Sequence, residues 1–312
     1  MNGNSGTALG ANEVHIVIAS LGRPESEVRF FESLLAADET QRAKRFYFQK
    51  DREKFVVGRG LLRTILSSYL QLPPDEIRFA YGTHGKPTVQ QEAGQPGIEF
   101  NLAHSAGWGL YAITRDRPVG VDVEFIQRDF PGENVAEHFF SPREVASLRA
   151  LPKDRQTAAF FNCWSRKEAF IKALGLGLSC PLDDFDVSLT PGEPARLLHV
   201  KWDPHEVSRW SMADIDRVPG CAGAVVVAGT TCRLVVSEWS GTPTPPWALC
   251  FHSGGLLREV QALLQGFLLH SIGRKSKYGE TVPAARACSS PGTAGSGRWL
   301  ALGGSCARSR RP

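Results

Sequence analysis

Apolar and polar positions alternate or recur at helical spacing along most of the first 240 residues, and they predict an ordered run of elements. EVHIVIASL (13–21) predicts a first strand, and Asp38 or Thr40 offers a cap for a helix after it. From Arg52 to Leu70, Phe55, Leu62, Ile65, Leu66 and Tyr69 recur at helical spacing. LPPD (72–75) ends that helix, because proline cannot continue it. EIRFAYG (76–82), IEFNLAHS (98–105), WGLYAITRD (108–116) and VGVDVEFI (119–126) predict strands. SPRE (141–144) combines a serine cap, a first-turn proline and a glutamate three residues on, which is a helix start. FFNCWSRKEAFIKALGLGL (160–178) predicts the next helix, stopped by the glycines of GLGL (175–178). FDVSL (185–189), RLLHV (196–200), GAVVVAG (223–229) and CRLVVSEW (232–239) predict four further strands. The order strand, helices, strands thus occurs twice, over 12–117 and 118–240, without a sequence repeat. SGTPTPP (240–246) reads as a linker or an end. Residues 247–312 read as a basic, low-complexity tail, expected to be poorly ordered, with one helix-like piece at 256–272.

Charge separates the tail from the rest. Residues 247–312 hold 9 Lys+Arg against 2 Asp+Glu, whereas residues 1–246 hold 27 against 30. The net charge of +4 therefore belongs to the tail, and the slightly acidic body is not that of a nucleic-acid binder. No apolar run reaches the roughly 18 residues of a membrane-spanning helix. The N-terminal stretch lacks the basic start and apolar core of a secretion signal. The seven cysteines, at 163, 180, 221, 232, 250, 288 and 306, are scattered and form no CxxC pair. Neither a disulfide framework nor a zinc site is expected, and a reducing cytoplasm is.

Several residues bear chemistry. Strand alternation in VGVDVEFI puts Asp122 and Glu124 on one face and Val121, Val123 and Phe125 on the other. Alone, such a pair suits an exposed sheet face; beside phosphates it suits a hard cation, Mg2+ being usual. Glu168 and Lys172 are four apart on the helix, which alone is an ordinary surface ion pair. GLGL follows a helix instead of opening one, so it is no phosphate-cradling loop. HGKP (84–87) sets Lys86 in a rigid turn, His104 ends a strand, and Arg42 lies in the basic cluster ETQRAKRF (39–46). Together these make three carboxylates for a metal (Asp122, Glu124, Glu168) and separated cations (Arg42, Lys86, His104, Lys172) for a ligand with several phosphates.

GVDVE (120–124) followed by WSRKEAFIKALGLGL (164–178), and preceded by GKP (85–87) and NLAHS (101–105), resembles the 4′-phosphopantetheinyl transferases of the surfactin-synthetase type. RFYFQKDREKFVVGRGLLRTIL (45–66) and PLDDFDVSL (181–189) extend the resemblance over roughly 12–240. It implies an α+β fold of two similar halves related by a pseudo-twofold axis, with coenzyme A in the cleft between them. It implies Mg2+-dependent transfer of 4′-phosphopantetheine from coenzyme A to a serine of an acyl, peptidyl or aryl carrier protein, releasing adenosine 3′,5′-bisphosphate. Asp122, Glu124 and Glu168 fall on the Mg2+ carboxylates, and Glu168 also on the base for the carrier serine, acting directly or through water. Lys172 falls on the lysine that contacts the pyrophosphate. Lys86 and His104 fall on residues holding the nucleotide end, and Arg42 on another phosphate contact. A cytoplasmic monomer is implied. One departure is Ala103, where the family often has a serine; it removes one hydroxyl donor. Two rival readings fit less well. A metal-dependent nuclease core wants a lysine two residues after its second acid, where this chain has Ile126. A non-catalytic coenzyme A-binding or carrier-binding protein of the same fold would not need Asp122, Glu124, Glu168 and Lys172 together.

Overall fold

In the computed structural model, which describes residues 9–91, 97–127, 130 and 132–241, the first apolar run forms β1 (Glu13–Ser20). Then follow α1 (Glu25–Ser33), α2 (Ala37–Ala43), α3 (Gln49–Leu70), the short strands β2 (Phe79–Tyr81) and β3 (Pro87–Val89), then β4 (Ile98–Ser105) and β5 (Trp108–Arg115). The second series runs β6 (Val119–Phe125), α4 (Gly132–Phe139), α5 (Pro142–Ala150), α6 (Lys153–Leu174), β7 (Phe185–Val187), β8 (Leu197–Val200), β9 (Trp210–Asp214), β10 (Cys221–Ala228) and β11 (Arg233–Glu238). The expected tail and its helix-like piece lie outside the described residues, as do most of the linker residues. Asp38 and Thr40 sit inside α2 rather than capping it. The N-terminal turn is closed instead by the Glu39 carboxylate, which accepts the Ala36 N–H at 2.9 Å.

The strands form a four-stranded sheet in the order β11-β1-β5-β4, a three-stranded sheet β6-β10-β9, and the hairpins β2-β3 and β7-β8. The two larger sheets repeat one pairing, β1 with β5 and β5 with β4 in one, β6 with β10 and β10 with β9 in the other. β11 breaks this division. It falls within the expected second half, yet it lies parallel to β1, with Glu13 opposite Arg233 and Ile18 opposite Glu238.

β1 is apolar almost throughout because both its faces are covered. Val17 and Ala19 pack with Val57 and Leu61 of α3. Val14, Ile16 and Ile18 join Val119, Val121, Val123, Val225 and Val227 in a core shared by the two sheets. The sheets also meet along β4 and β6, where side chains take the place of a backbone ladder. The Val121 N–H donates to Asn101 Oδ1 at 2.9 Å and the Phe125 N–H to Ser105 Oγ at 3.1 Å.

A buried ionic device occurs in each half. α3 and α6 each have 22 residues. The fifteenth of each is a fully enclosed cation, Arg63 or Lys167. Each pairs with the third-residue glutamate of the preceding short helix: Arg63 with Glu39 at 2.7 Å, Lys167 with Glu144 at 2.8 Å. Each also donates to two carbonyls after its helix, Pro74 and Ile77 in one half, Leu182 and Phe185 in the other. Each cation then lies over the first aromatic ring of the following hairpin, Phe79 at 5.2 Å or Phe185 at 4.3 Å. Each buried charge thereby gains both an opposite charge and hydrogen-bond partners, which such a charge requires.

Candidate active site

The site is built where α6 lies against β6. Gly120 permits the contact: a Cβ there would stand 2.1 Å from the Ala169 carbonyl oxygen and 2.3 Å from the Ala173 nitrogen. Val119, Val121 and Val123 point into the shared core, so Gly120, Asp122 and Glu124 take the face that α6 covers. α6 presents its apolar side through Ala169 and Phe161, which are buried, and brings Glu168 and Lys172 toward the strand.

Lys172 does not pair with Glu168 as helical spacing suggests. Its ammonium donates to Asp122 Oδ1 at 2.6 Å and to the Val121 carbonyl at 3.4 Å. Burial works against its charge, but Asp122, Glu168 and Glu124 outweigh burial and raise its pKa above the ordinary lysine value. Asp122 is only 4% exposed. Its second oxygen, Oδ2, is buried with no hydrogen-bond partner. Glu168 is pushed up to about 7 by burial and then by Asp122, against the pull of Lys172. Glu124 is likewise pushed up to about 7, by burial, Asp122 and Glu168, while Lys172 and the Ser105 hydroxyl resist. One lysine therefore faces three carboxylates.

These oxygens, the unpartnered Asp122 Oδ2 among them, are of the chemistry that suits a hard cation such as Mg2+. Among the described residues no three acidic, histidine or cysteine side chains are already drawn together as a metal cage. Three like charges repel, so such side chains stand apart unless a cation collects them.

His104 ends β4 on the wall of this region. The residue is exposed, yet partial desolvation lowers its pKa, with Lys172 and Lys54 adding to the effect. Arg42 is exposed, with its guanidinium 5.3 Å from the centre of the Phe55 ring. Lys86 donates to the carbonyls of Val119 and Ala173. The structure thus gathers Asp122, Glu124, Glu168, Lys172 and His104, attaches Lys86 to the same two elements through the backbone, and sets Arg42 over Phe55 of α3, the neighbour of Lys54. Lys54 and Ser105 escaped the pattern reading because their roles depend on contacts between elements. Cavities of about 350 and 540 Å3 lie elsewhere, lined by residues such as Phe160 and Asp186, and neither includes any of these residues.

Comparison with known proteins agrees with the motifs. Residues 118–226 match the 4′-phosphopantetheinyl transferase superfamily, and residues 23–115 match the 4′-phosphopantetheinyl transferase N-terminal family. The chain is 37% identical over 219 residues to the 4′-phosphopantetheinyl transferase HetI of Nostoc sp., covering 70% of this chain and 89% of that one. It is 36% identical over 165 residues to the 4′-phosphopantetheinyl transferase Sfp of Bacillus subtilis, covering 53% of this chain and 71% of that one. With both halves matched and the motif residues meeting between β6 and α6, the chain belongs to the 4′-phosphopantetheinyl transferase family, Sfp type.

Proposed function

We propose that this chain transfers 4′-phosphopantetheine from coenzyme A to a serine of an acyl, peptidyl or aryl carrier protein, with Mg2+ held by Asp122, Glu124 and Glu168. The observation that carries the reading is the Asp122–Lys172 contact at 2.6 Å, with Glu124 and Glu168 beside it. In the reaction the serine oxygen forms a bond to the phosphorus bearing the pantetheine arm. The bond from that phosphorus to the bridging oxygen breaks, and adenosine 3′,5′-bisphosphate leaves with the electron pair. Bound at the three carboxylates, Mg2+ would supply Lewis-acid neutralisation of the pyrophosphate oxygens.

Glu168 takes the serine proton. Without a cation beside it, burial and Asp122 raise its pKa to about 7, the range of a base working near neutral pH. Where cation binding weakens it as a base, a water relays the proton. Lys172 supports the negative charge that grows on the leaving phosphate, an interaction that strengthens toward the transition state. His104 offers a ring N–H to the nucleotide end, and Arg42 offers a charge. Both halves of the site come from one chain, so a monomer suffices. No helix among the described residues is long and apolar enough to cross a membrane, and the proposed site is cytoplasmic.

The test is incubation with coenzyme A, Mg2+ and a panel of apo carrier proteins, read by intact mass. A phosphopantetheine adduct is expected only when coenzyme A and Mg2+ are both present. A folded chain that modifies none of a broad panel would sink the proposal.

A further inference from the structure

The Lys86 ammonium donates to two backbone carbonyls, Val119 at 3.0 Å and Ala173 at 3.3 Å. Val119 opens β6 just ahead of Asp122, and Ala173 directly follows Lys172 on α6. The lysine stem crosses Gly175, the left-handed C-cap of α6, where a Cβ would stand 3.5 Å from Lys86 Cδ. The same turn makes a second contact. His84 Nδ1 lies 3.3 Å from Ser179 Oγ, and a Cβ on Gly177 would stand 3.6 Å from His84 Cβ. Gly175 and Gly177 both have positive φ, +72° and +54°, a conformation that glycine adopts without strain. The HGKP turn of the first half therefore rests on the GLGL segment of the second.

This contact has a physical logic. A helix ends in unsatisfied carbonyls carrying partial negative charge, and a cation there is favourable. An ammonium has three N–H donors, and two of these are engaged by β6 and α6. We propose that Lys86 is a positioning residue, which ties the start of β6 to the end of α6 and so keeps Asp122, Glu168 and Lys172 at reacting distance, rather than a ligand of the nucleotide 3′-phosphate. The inference rests on the transfer reading above.

Two substrates separate the roles: coenzyme A and 3′-dephospho-coenzyme A, which lacks that phosphate. In the full chain, Lys86→Met and Lys86→Arg are compared with wild type for binding of each by calorimetry and for single-turnover transfer at saturation. Misplacing reacting groups by about 1 Å can cost on the order of a hundredfold, so Lys86→Met is expected to slow transfer from both substrates at least about tenfold. The binding preference between the two should stay within about twofold of wild type. Lys86→Arg should recover part of the rate, because a guanidinium can also donate to both carbonyls. Weakened binding of coenzyme A alone, or an unchanged rate, would overturn the proposal. If Lys86→Met does not fold, Gly175→Ala strains the left-handed turn beneath the Lys86 stem without removing a charge. Slower transfer at unchanged preference then supports the proposal, and a wild-type rate overturns it. Binding preference is measured without turnover, so a wild-type chain that transfers nothing refutes the transfer reading and leaves the preference to judge Lys86.

Discussion

Glu168 and Glu124 hold their protons up to about pH 7 because burial and Asp122 disfavour their charged forms. Their ordinary value is 4.5, so between that pH and about 7 the folded chain binds more protons than the unfolded one. Stability supplied this way is present at the acidic end and is lost as pH rises through the window. In chelator-treated protein the thermal midpoint should therefore fall between about pH 5 and 7, by an amount equivalent to about 1–3 kcal/mol for the coupled pair. Asp122→Asn removes the charge that raises both groups and should flatten the slope. Calorimetry across that range checks it; a midpoint rising with pH would contradict the assigned shifts. Lys172→Ala should lower kcat on the order of a hundredfold and change coenzyme A affinity less, with Lys172→Arg rescuing only partly. Single-turnover rates within about threefold of wild type would instead make Lys172 a neutraliser of Asp122 alone. The chemistry-bearing residue types were legible in the sequence, but not their pairing. Helical spacing joined Lys172 to Glu168 because local spacing cannot register a strand fifty residues earlier coming within 2.6 Å.

At the scale of elements, one glycine sets the catalytic contact. A Cβ at position 120 would overlap the α6 backbone, not a flexible side chain, so helix and strand would have to separate. Gly120→Ala should destabilise the chain by at least about 1–3 kcal/mol. In whatever folds, it should lengthen the Asp122–Lys172 contact and lower kcat more than coenzyme A binding. Denaturant midpoints and single-turnover rates measured together test this; unchanged stability would mean that α6 is not pressed on the strand. The buried Lys167–Glu144 pair makes a different prediction. Lys167→Met alone leaves Glu144 enclosed without its cation, costing about 3–5 kcal/mol, whereas Lys167→Met with Glu144→Gln should cost clearly less. A double-mutant cycle in urea measures the difference, and additive losses would refute the pairing. Long elements with strong periodicity, such as α3, β4 and β5, were readable from the pattern. β3 and β9 were not, since Pro87–Val89 is too short for alternation and WSMAD mixes its types. α1 was missed because ESEVRFFES lies between clearer signals and has no side-chain N-cap. The burial of Lys167 was not legible either, because nothing local indicates that α5 and β7 enclose it.

At the scale of the whole molecule, the doubling was legible as an order of elements and invisible as a repeat. The halves share a topology and a buried ionic device, yet that device uses arginine in one half and lysine in the other. One residue beyond the shared cation stands Glu168 in α6 and Thr64 in α3; at the twentieth position stand Lys172 and Ser68. The two hydroxyls bond to carbonyls of their own helix, Gly60 and Ile65, so only the second half carries the reacting charges. The boundary at 240 was placed by composition, which cannot show that β11 crosses to β1. That crossing yields the last prediction. A chain ending at Gly241 keeps every described element, and it is expected to fold with a thermal midpoint within a few degrees of the full chain and to retain transfer. A chain ending at Ala228 lacks β11. β1 would then become a sheet edge from Glu13 to Ile18, with unpaired backbone groups and the cover of Leu234 and Val236 removed from the shared core. An exposed apolar edge of this kind pairs with other chains. The shorter chain should therefore aggregate or lose its cooperative transition, and any soluble fraction should transfer slowly, because Val119, Val121 and Val123 of β6 pack on the same core that β11 closes. Size-exclusion chromatography, thermal unfolding and single-turnover transfer on both truncations decide it. A monomeric, cooperatively folded and active chain ending at Ala228 would show that the site needs nothing from the last strand.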